Sequence, residues 1–278
     1  MPRHDEGYLS SRDGTRLFFR SLAPDLKPLG QVAILHGFGD HSGRYQEVME
    51  ALVARGLSTI ALDYRGHGKA DGRRTDCRRW DEYLDDLEAF WRKALAEAQG
   101  APTFLLGHSH GGLMATHWAA RQPRDLKGLL LASPFYQLAF APPRLKLLGA
   151  GLLRRLWPTL PLGNELTAAM LTRDPALQKA TDEDPLYVHT ITPRWFFECR
   201  AAQARLEGVG PRISVPVWMG AGTADPVVST PRSAEVFAAL ASADKTRKEY
   251  HDFRHELLNE VGRERVHDDI AQWILAHR

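Results

Sequence analysis

Three residues have the types and the chain order that acyl transfer needs. Ser109 lies in FLLGHSHGGLMA, residues 104–115, inside Gly107-His108-Ser109-His110-Gly111. A serine hydroxyl is a weak nucleophile until an imidazole takes its proton, and that imidazole needs a carboxylate to hold its tautomer. An acid follows in Thr223-Ala224-Asp225-Pro226 and an imidazole in Arg254-His255-Glu256. Serine, acid, histidine is the order that accompanies a G-x-S-x-G corner between a strand and a helix. Ser109 is therefore assigned as nucleophile, Asp225 as orienting acid and His255 as base.

Each assignment has a plainer alternative. G-x-S-x-G alone is a weak signal, since a glycine-rich strand-to-helix turn with a surface serine carries the same letters. Asp225-Pro226 is also turn chemistry, as an Asx turn or a helix cap. His255 competes with His251, which falls inside the strand pattern TRKEYHDF and suits a structural histidine. The two histidines at i, i+4 could hold a metal on a helix, but the segment is not helical in pattern and no Glu stands between them. No metal and no organic cofactor is required by the serine chemistry.

The tetrahedral intermediate of acyl transfer needs two N–H donors for its oxyanion. The residue after the nucleophile supplies one, here His110. The loop His36-Gly37-Phe38-Gly39 supplies the other, and its glycines leave the Phe38 N–H accessible. His36, His41 and His108 read as hydrogen-bonded props.

These residues need a frame that brings distant loops together. GYLSSRDGTRLFFR reads as a hairpin about Asp13-Gly14. Short apolar runs follow at QVAILHG, LSTIALDYRG, APTFLLGHS and LKGLLLASP, with helical patterns at YQEVMEALVARG, WDEYLDDLEAFWRKALAEAQG and HGGLMATHWAARQP between them. Such alternation implies a mostly parallel sheet with helices on both faces, an α/β fold with an N-terminal antiparallel hairpin. The rhythm breaks from Phe135 to about Arg212, where no good strand is found. It resumes at RISVPVWMGAG and TRKEYHDF with helices around them. One core built from 1–134 and 213–278, with a helical insertion at 135–212, explains the pattern.

Composition excludes several classes. The chain has 278 residues, 44% hydrophobic and 25% charged, with a formal net charge of +2, so nothing points to nucleic acid. Two cysteines, Cys77 and Cys199, are too few for a disulfide framework. The N-terminal MPRHDEGYLSSRDG has no apolar core of a signal peptide, and no run of 18 apolar residues would span a membrane. The expectation is a soluble, cytoplasmic protein, with peripheral contact at a membrane surface through its insertion. Oligomeric state is left open.

Several strings together resemble the monoacylglycerol lipase and bacterial lysophospholipase group of the α/β-hydrolase fold, also classed with serine aminopeptidase-like hydrolases. They are HGFGDHSGRY (36–45), ALDYRGHGKADG (61–72), LLGHSHGG (105–112), LASP (131–134), GAGTADPVV (220–228) and HELLNE (255–260), with LPLG, LTRDP and DPL in the middle. The resemblance runs over nearly the whole chain. It implies the same triad, Ser109, Asp225 and His255, and the same oxyanion donors, Phe38 and His110. It also implies a glycerol ester, a lysophospholipid or a small carboxylic ester as substrate. Hydrolysis, acyl transfer to an alcohol, and a non-catalytic binding protein on the same fold stay open. The serine disfavours a dehalogenase or epoxide hydrolase, which would use an acid nucleophile. One departure is His110, where the group usually has an apolar or amide side chain.

The insertion reads as a lid. In APPRLKLLGAGLLRRLWPTLPLG, Leu145, Leu148, Leu152 and Leu156 share one side of a helix with Leu153, while Arg144, Lys146, Arg154 and Arg155 share the other. The leucines are assigned as the acyl-chain contact. Either the helix packs as an ordinary amphipathic cap, or it touches a lipid surface.

Overall fold

The computed structural model describes residues 2–278. Its N-terminal hairpin is β1 (Arg3–Ser10) and β2 (Arg16–Ala23), paired antiparallel. At the turn Gly14 alone has a positive φ, +86°, so the Asp13-Gly14 pair is not a two-residue mirror-image turn. The core then alternates β3 (Gln31–Leu35), α1 (Gln46–Val53), β4 (Ser58–Asp63), α2 (Asp81–Glu97), β5 (Thr103–His108), α3 (His110–Ala119) and β6 (Leu126–Ala132).

The segment after β6 holds α4 (Arg144–Leu156), β7 (Leu162–Gly163), α5 (Ala168–Leu171), α6 (Pro175–Glu183), β8 (Thr190–Ile191), α7 (Pro193–Ala204) and α8 (Leu206–Val209). The absence of strands expected here needs one correction. β7 and β8 pair through Leu162–Ile191 and Gly163–Thr190. Two residues per strand are too few to print an alternating pattern. The chain closes with β9 (Val217–Gly222), α9 (Thr230–Ala238), β10 (Lys245–Tyr250) and α10 (Glu264–Ala276). His251 falls just beyond β10 and is exposed beside Asp252, so it is not the structural strand histidine expected from the pattern.

Among the described residues the main sheet has eight strands in the order β1-β2-β4-β3-β5-β6-β9-β10. β1, β2 and β4 pair antiparallel and the remaining neighbours pair parallel. β3 to β6 and β9 are almost wholly buried, as strands covered on both faces must be. Two apolar clusters fill the two faces: one contains Leu105, Leu113, Trp118 and Met219, the other Val32, Ile34, Leu106 and Trp218. Winding runs from β3 outward to β4, then returns to the other side of β3 for β5. Loops leaving the C-terminal ends of β3 and β5 diverge there, which opens a crevice at the switch point.

Candidate active site

Ser109 occupies the turn between β5 and α3 with φ +51° and ψ −115°, a conformation that side chains rarely adopt. Its surroundings hold it there. Ser109 N–H donates to the Ala132 carbonyl at 3.0 Å, and Phe135 N–H donates to the Ser109 carbonyl at 2.9 Å. The glycines of the motif are steric requirements. A Cβ on Gly107 would sit 2.5 Å from the Gly111 carbonyl oxygen, and one on Gly111 would sit 2.5 Å from the His36 carbonyl oxygen.

The three residues picked from chain order meet at this corner. His255 Nε2 lies 2.8 Å from Ser109 Oγ, and His255 Nδ1 lies 2.8 Å from Asp225 Oδ2. A carboxylate only accepts, so Nδ1 carries the proton and Nε2 is free to accept from the serine. Both alternatives for Asp225 are satisfied at once, because its Oδ1 accepts from the Val227 and Val228 amides at 2.8 and 3.0 Å. Burial works against the Asp225 charge, yet His255 and these amides hold its carboxyl below the usual range. Burial likewise opposes the charged imidazole, but Asp225 outweighs it and raises His255 above the ordinary histidine value.

Behind these three residues lies a second tier, of which the sequence reading assigned only His108, as a hydrogen-bonded prop. His108 Nε2–H donates to the His255 carbonyl at 3.3 Å, and its Nδ1 is 2.8 Å from the Tyr45 hydroxyl. Tyr45 also accepts from the Gly37 N–H at 3.1 Å. Arg44 Nη2 lies 2.8 Å from both carboxylate oxygens of Glu256, the neighbour of His255, and Arg44 Nε lies 2.9 Å from Asp40. Asp40 and Glu256 are buried, and the Arg44 side chain is 10% exposed. Asp40, Arg44 and Tyr45 stand in the string HGFGDHSGRY, so the signal was present but carried no role. The expected prop role of His36 holds: its Nδ1–H donates to the Gly37 carbonyl at 2.7 Å.

Phe38 and His110 flank Ser109 from the loop after β3 and the first residue of α3. Above them opens a cavity of about 540 Å³ with Ser109 and His255 on its wall. Its lining is chiefly apolar, including Phe38, Phe135, Leu171, Tyr187, Trp195 and Phe196, with Asp40 and Glu256 among the few polar groups.

The assignment of the cap leucines is corrected here. Leu145, Leu148, Leu152 and Leu156 are 81%, 73%, 59% and 74% exposed and do not line the cavity. α4 instead turns Leu147, Ala150 and Leu153 toward it. The reason is helical geometry: positions 147, 150 and 153 lie on the side of the helix roughly opposite Leu145, Leu148, Leu152 and Leu156, and periodicity alone does not say which side faces inward.

A mostly parallel α/β sheet with a serine elbow after β5, a histidine and an acid in reach, and a crevice at the switch point define an α/β-hydrolase of the serine hydrolase class. The chain belongs to the family described as serine aminopeptidase, S33, whose model matches residues 27–262. It is 30% identical over 267 residues to a monoacylglycerol lipase from Mycolicibacterium smegmatis, covering 95% of this chain and 94% of that one. It is 30% identical over 243 residues to a phospholipase from Bacillus subtilis, covering 86% and 93% respectively. Among solved structures, the monoacylglycerol lipase of Paleococcus ferrophilus superposes with a TM-score of 0.82 at 30% identity, over 94% of this chain and 99% of that one.

Proposed function

We propose that the protein hydrolyses monoacylglycerols through an acyl-enzyme on Ser109. Ser109 Oγ attacks the ester carbonyl while His255 Nε2 takes the hydroxyl proton. Asp225 holds the ring and offsets its charge, and the N–H groups of Phe38 and His110 receive the oxyanion. His255 returns the proton to the leaving alcohol. Water, deprotonated by His255, then releases the fatty acid. The observation that carries this reading is the pair of 2.8 Å contacts joining Ser109, His255 and Asp225 at the wall of an apolar cavity.

Two features support a neutral glycerol ester over a phosphodiester head group. Of the charged groups on the cavity wall, Asp40, Glu165 and Glu256 are carboxylates and Lys146 is a cation that pairs with Glu165, while Arg44 pairs with Asp40 and Glu256. Carboxylate oxygens accept from glycerol hydroxyls and repel a phosphate. The Mycolicibacterium relative bears the matching name, and the Bacillus phospholipase names the competing substrate.

Residues 135–212 act in this reading as a cap on a core of 1–134 and 213–278. Among the described residues no helix is long and apolar enough to cross a membrane. The outward leucines of α4, together with exposed Trp157 and the basic Arg144, Arg154 and Arg155, suit contact with a lipid surface.

One experiment tests the whole reading. Labelling with a fluorophosphonate should occur at Ser109 and vanish in Ser109→Ala. Turnover should be compared for monoacylglycerol, lysophosphatidylcholine and nitrophenyl esters of increasing chain length. Faster cleavage of lysophosphatidylcholine than of monoacylglycerol would overturn the glycerol-ester assignment, and turnover by Ser109→Ala would overturn the nucleophile.

A further inference from the structure

His110 contributes more than its backbone. Its side chain is fully buried among Tyr64, Trp80, Tyr83 and Trp195. The indole Nε1–H of Trp195 donates to His110 Nε2 at 3.3 Å. An indole nitrogen only donates, so Nε2 bears no proton and the neutral ring carries its proton on Nδ1. Burial, and then the neighbouring His36, keep the ring neutral, with its pKa lowered to about 3. His110 Nδ1–H faces the Tyr64 hydroxyl at 3.1 Å and donates to it. Tyr64 in turn donates at 2.8 Å to the Gly37 carbonyl, which also accepts from His36 Nδ1–H on its other lone pair. The donors and acceptors thus run one way, from Trp195 through His110 and Tyr64 to Gly37.

The end of that chain is not an arbitrary carbonyl. The Gly37 C=O and the Phe38 N–H belong to one planar peptide group, so fixing the oxygen fixes the direction of the N–H. Trp195 also lies against the Phe38 ring, with centroids 3.8 Å apart. One residue of α7 therefore touches the side chains of both residues beside Ser109. α7 is itself pinned to the core, because Asp76 accepts from the Thr192 hydroxyl at 2.8 Å and pairs with Arg194.

We propose that Trp195, His110 and Tyr64 form a positioning relay that aims the Phe38 N–H at the oxyanion and makes that aim depend on the position of α7. The relay rests on the reading of Phe38 as an oxyanion donor. It gives the departure at His110 a purpose: an apolar side chain there would leave the Trp195 donor and the Tyr64 hydroxyl without their shared partner. The three residues are positioning residues, since none but His110, through its backbone, meets the reacting atoms.

The test uses Trp195→Phe, Tyr64→Phe, His110→Leu and His110→Gln in the full chain. The substrate is nitrophenyl butyrate, and the probe is a short-chain trifluoromethyl ketone. Ser109 Oγ adds to the ketone carbon, His255 takes the serine proton, and the carbonyl oxygen becomes an oxyanion in the hole. Rates of the relay variants are expressed per serine titrated with fluorophosphonate, so misfolded material does not count, and Ser109→Ala is compared per mole of folded protein. A donor removed outright costs about a hundredfold to a thousandfold, and a misaimed one should cost about tenfold to a hundredfold in kcat. KM should stay within about twofold, and the ketone should weaken by the same factor as kcat. Trp195→Phe with Tyr64→Phe should cost no more than the worse single change, as members of one chain do. Gln keeps an acceptor and a donor, so it should recover about tenfold of the His110→Leu loss. Unchanged kcat in Trp195→Phe and Tyr64→Phe would overturn the relay, as would losses that multiply or fall on KM alone. If Ser109→Ala is dead while these variants match the parent, only the relay fails. If Ser109→Ala retains turnover, the underlying reading fails instead.

Discussion

Asp225 serves His255 and its own turn with different oxygens: Oδ2 accepts from His255 Nδ1, and Oδ1 accepts from the Val227 and Val228 amides. This division makes Asp225→Asn a clean perturbation. The amide oxygen can keep both backbone bonds, which leaves an NH2 group facing His255 Nδ1. The ring then favours the tautomer with its proton on Nε2, and Ser109 has no acceptor. We expect kcat to fall on the order of ten-thousandfold, as the same change does in the serine-protease triad. Stability should change by less than about 1 kcal/mol, whereas Asp225→Ala should cost about 1–3 kcal/mol by stripping the two amides. Initial rates and urea unfolding of both variants check this. Activity within tenfold of the parent in Asp225→Asn would remove the acid from the triad.

The pH profile follows from the same pair. The base works only when neutral, and Asp225 raises His255 above the ordinary value of 6.5. Activity is therefore present above the folded pKa and lost as pH falls through it, so the acid limb of kcat/KM should lie above pH 6.5. In Asp225→Asn the residual activity should show that limb at lower pH. His108 and His110 are both lowered to about 3, first by burial, and add no limb in the working range. A limb below pH 6 in the parent enzyme would contradict the arrangement.

The meeting of Ser109 with His255 and Asp225 was legible because the evidence for each is local. Gly107, Ser109 and Gly111 lie within five residues, and β5 and α3 on either side have clear patterns. Asp225 and His255 were legible because each follows a strand closely. What escaped was set by contacts between distant segments. Trp195, His110 and Tyr64 are separated by scores of residues, and nothing near Trp195 distinguishes it from any other buried aromatic. The orientation of α4 escaped for another reason. The usual rule sends the leucine-rich side inward, but here Leu145, Leu148, Leu152 and Leu156 face outward and the side bearing Leu147, Ala150 and Leu153 faces the cavity.

Arg44 should be a stability determinant despite standing beside the site. It is the cation paired with both Asp40 and Glu256, whose side chains are only 3% exposed. Removing one partner of a buried charge group leaves the others uncompensated, at a cost of about 3–5 kcal/mol. Arg44→Met should lower unfolding free energy by about that amount in urea titrations. Adding Glu256→Gln should recover part of the loss, because one stranded charge disappears. A double variant less stable than Arg44→Met would show that Glu256 does not depend on Arg44.

The two stripes of α4 should have separable effects. Leu147 and Leu153 line the cavity, and burying a leucine against an acyl chain is worth about 1 kcal/mol or more. Leu147→Ser with Leu153→Ser should therefore lower kcat/KM for long-chain monoacylglycerol by about tenfold to thirtyfold, and much less for butyrate esters, which do not reach that wall. Leu148 and Leu152 point outward. Leu148→Ser with Leu152→Ser should weaken sedimentation with vesicles while leaving hydrolysis of soluble butyrate esters alone. Arg144→Glu with Arg155→Glu should weaken binding to anionic vesicles further, at about 1 kcal/mol for each basic residue lost. Arg154 is spared in that design because it pairs with Glu198 at 3.4 Å, and its loss would also disturb the packing of α4 on α7. Vesicle binding unchanged in the outer leucine pair would leave α4 as a cap with no role at the lipid surface. Equal losses for long and short esters in the inner pair would mean that the acyl chain leaves the cavity by another wall.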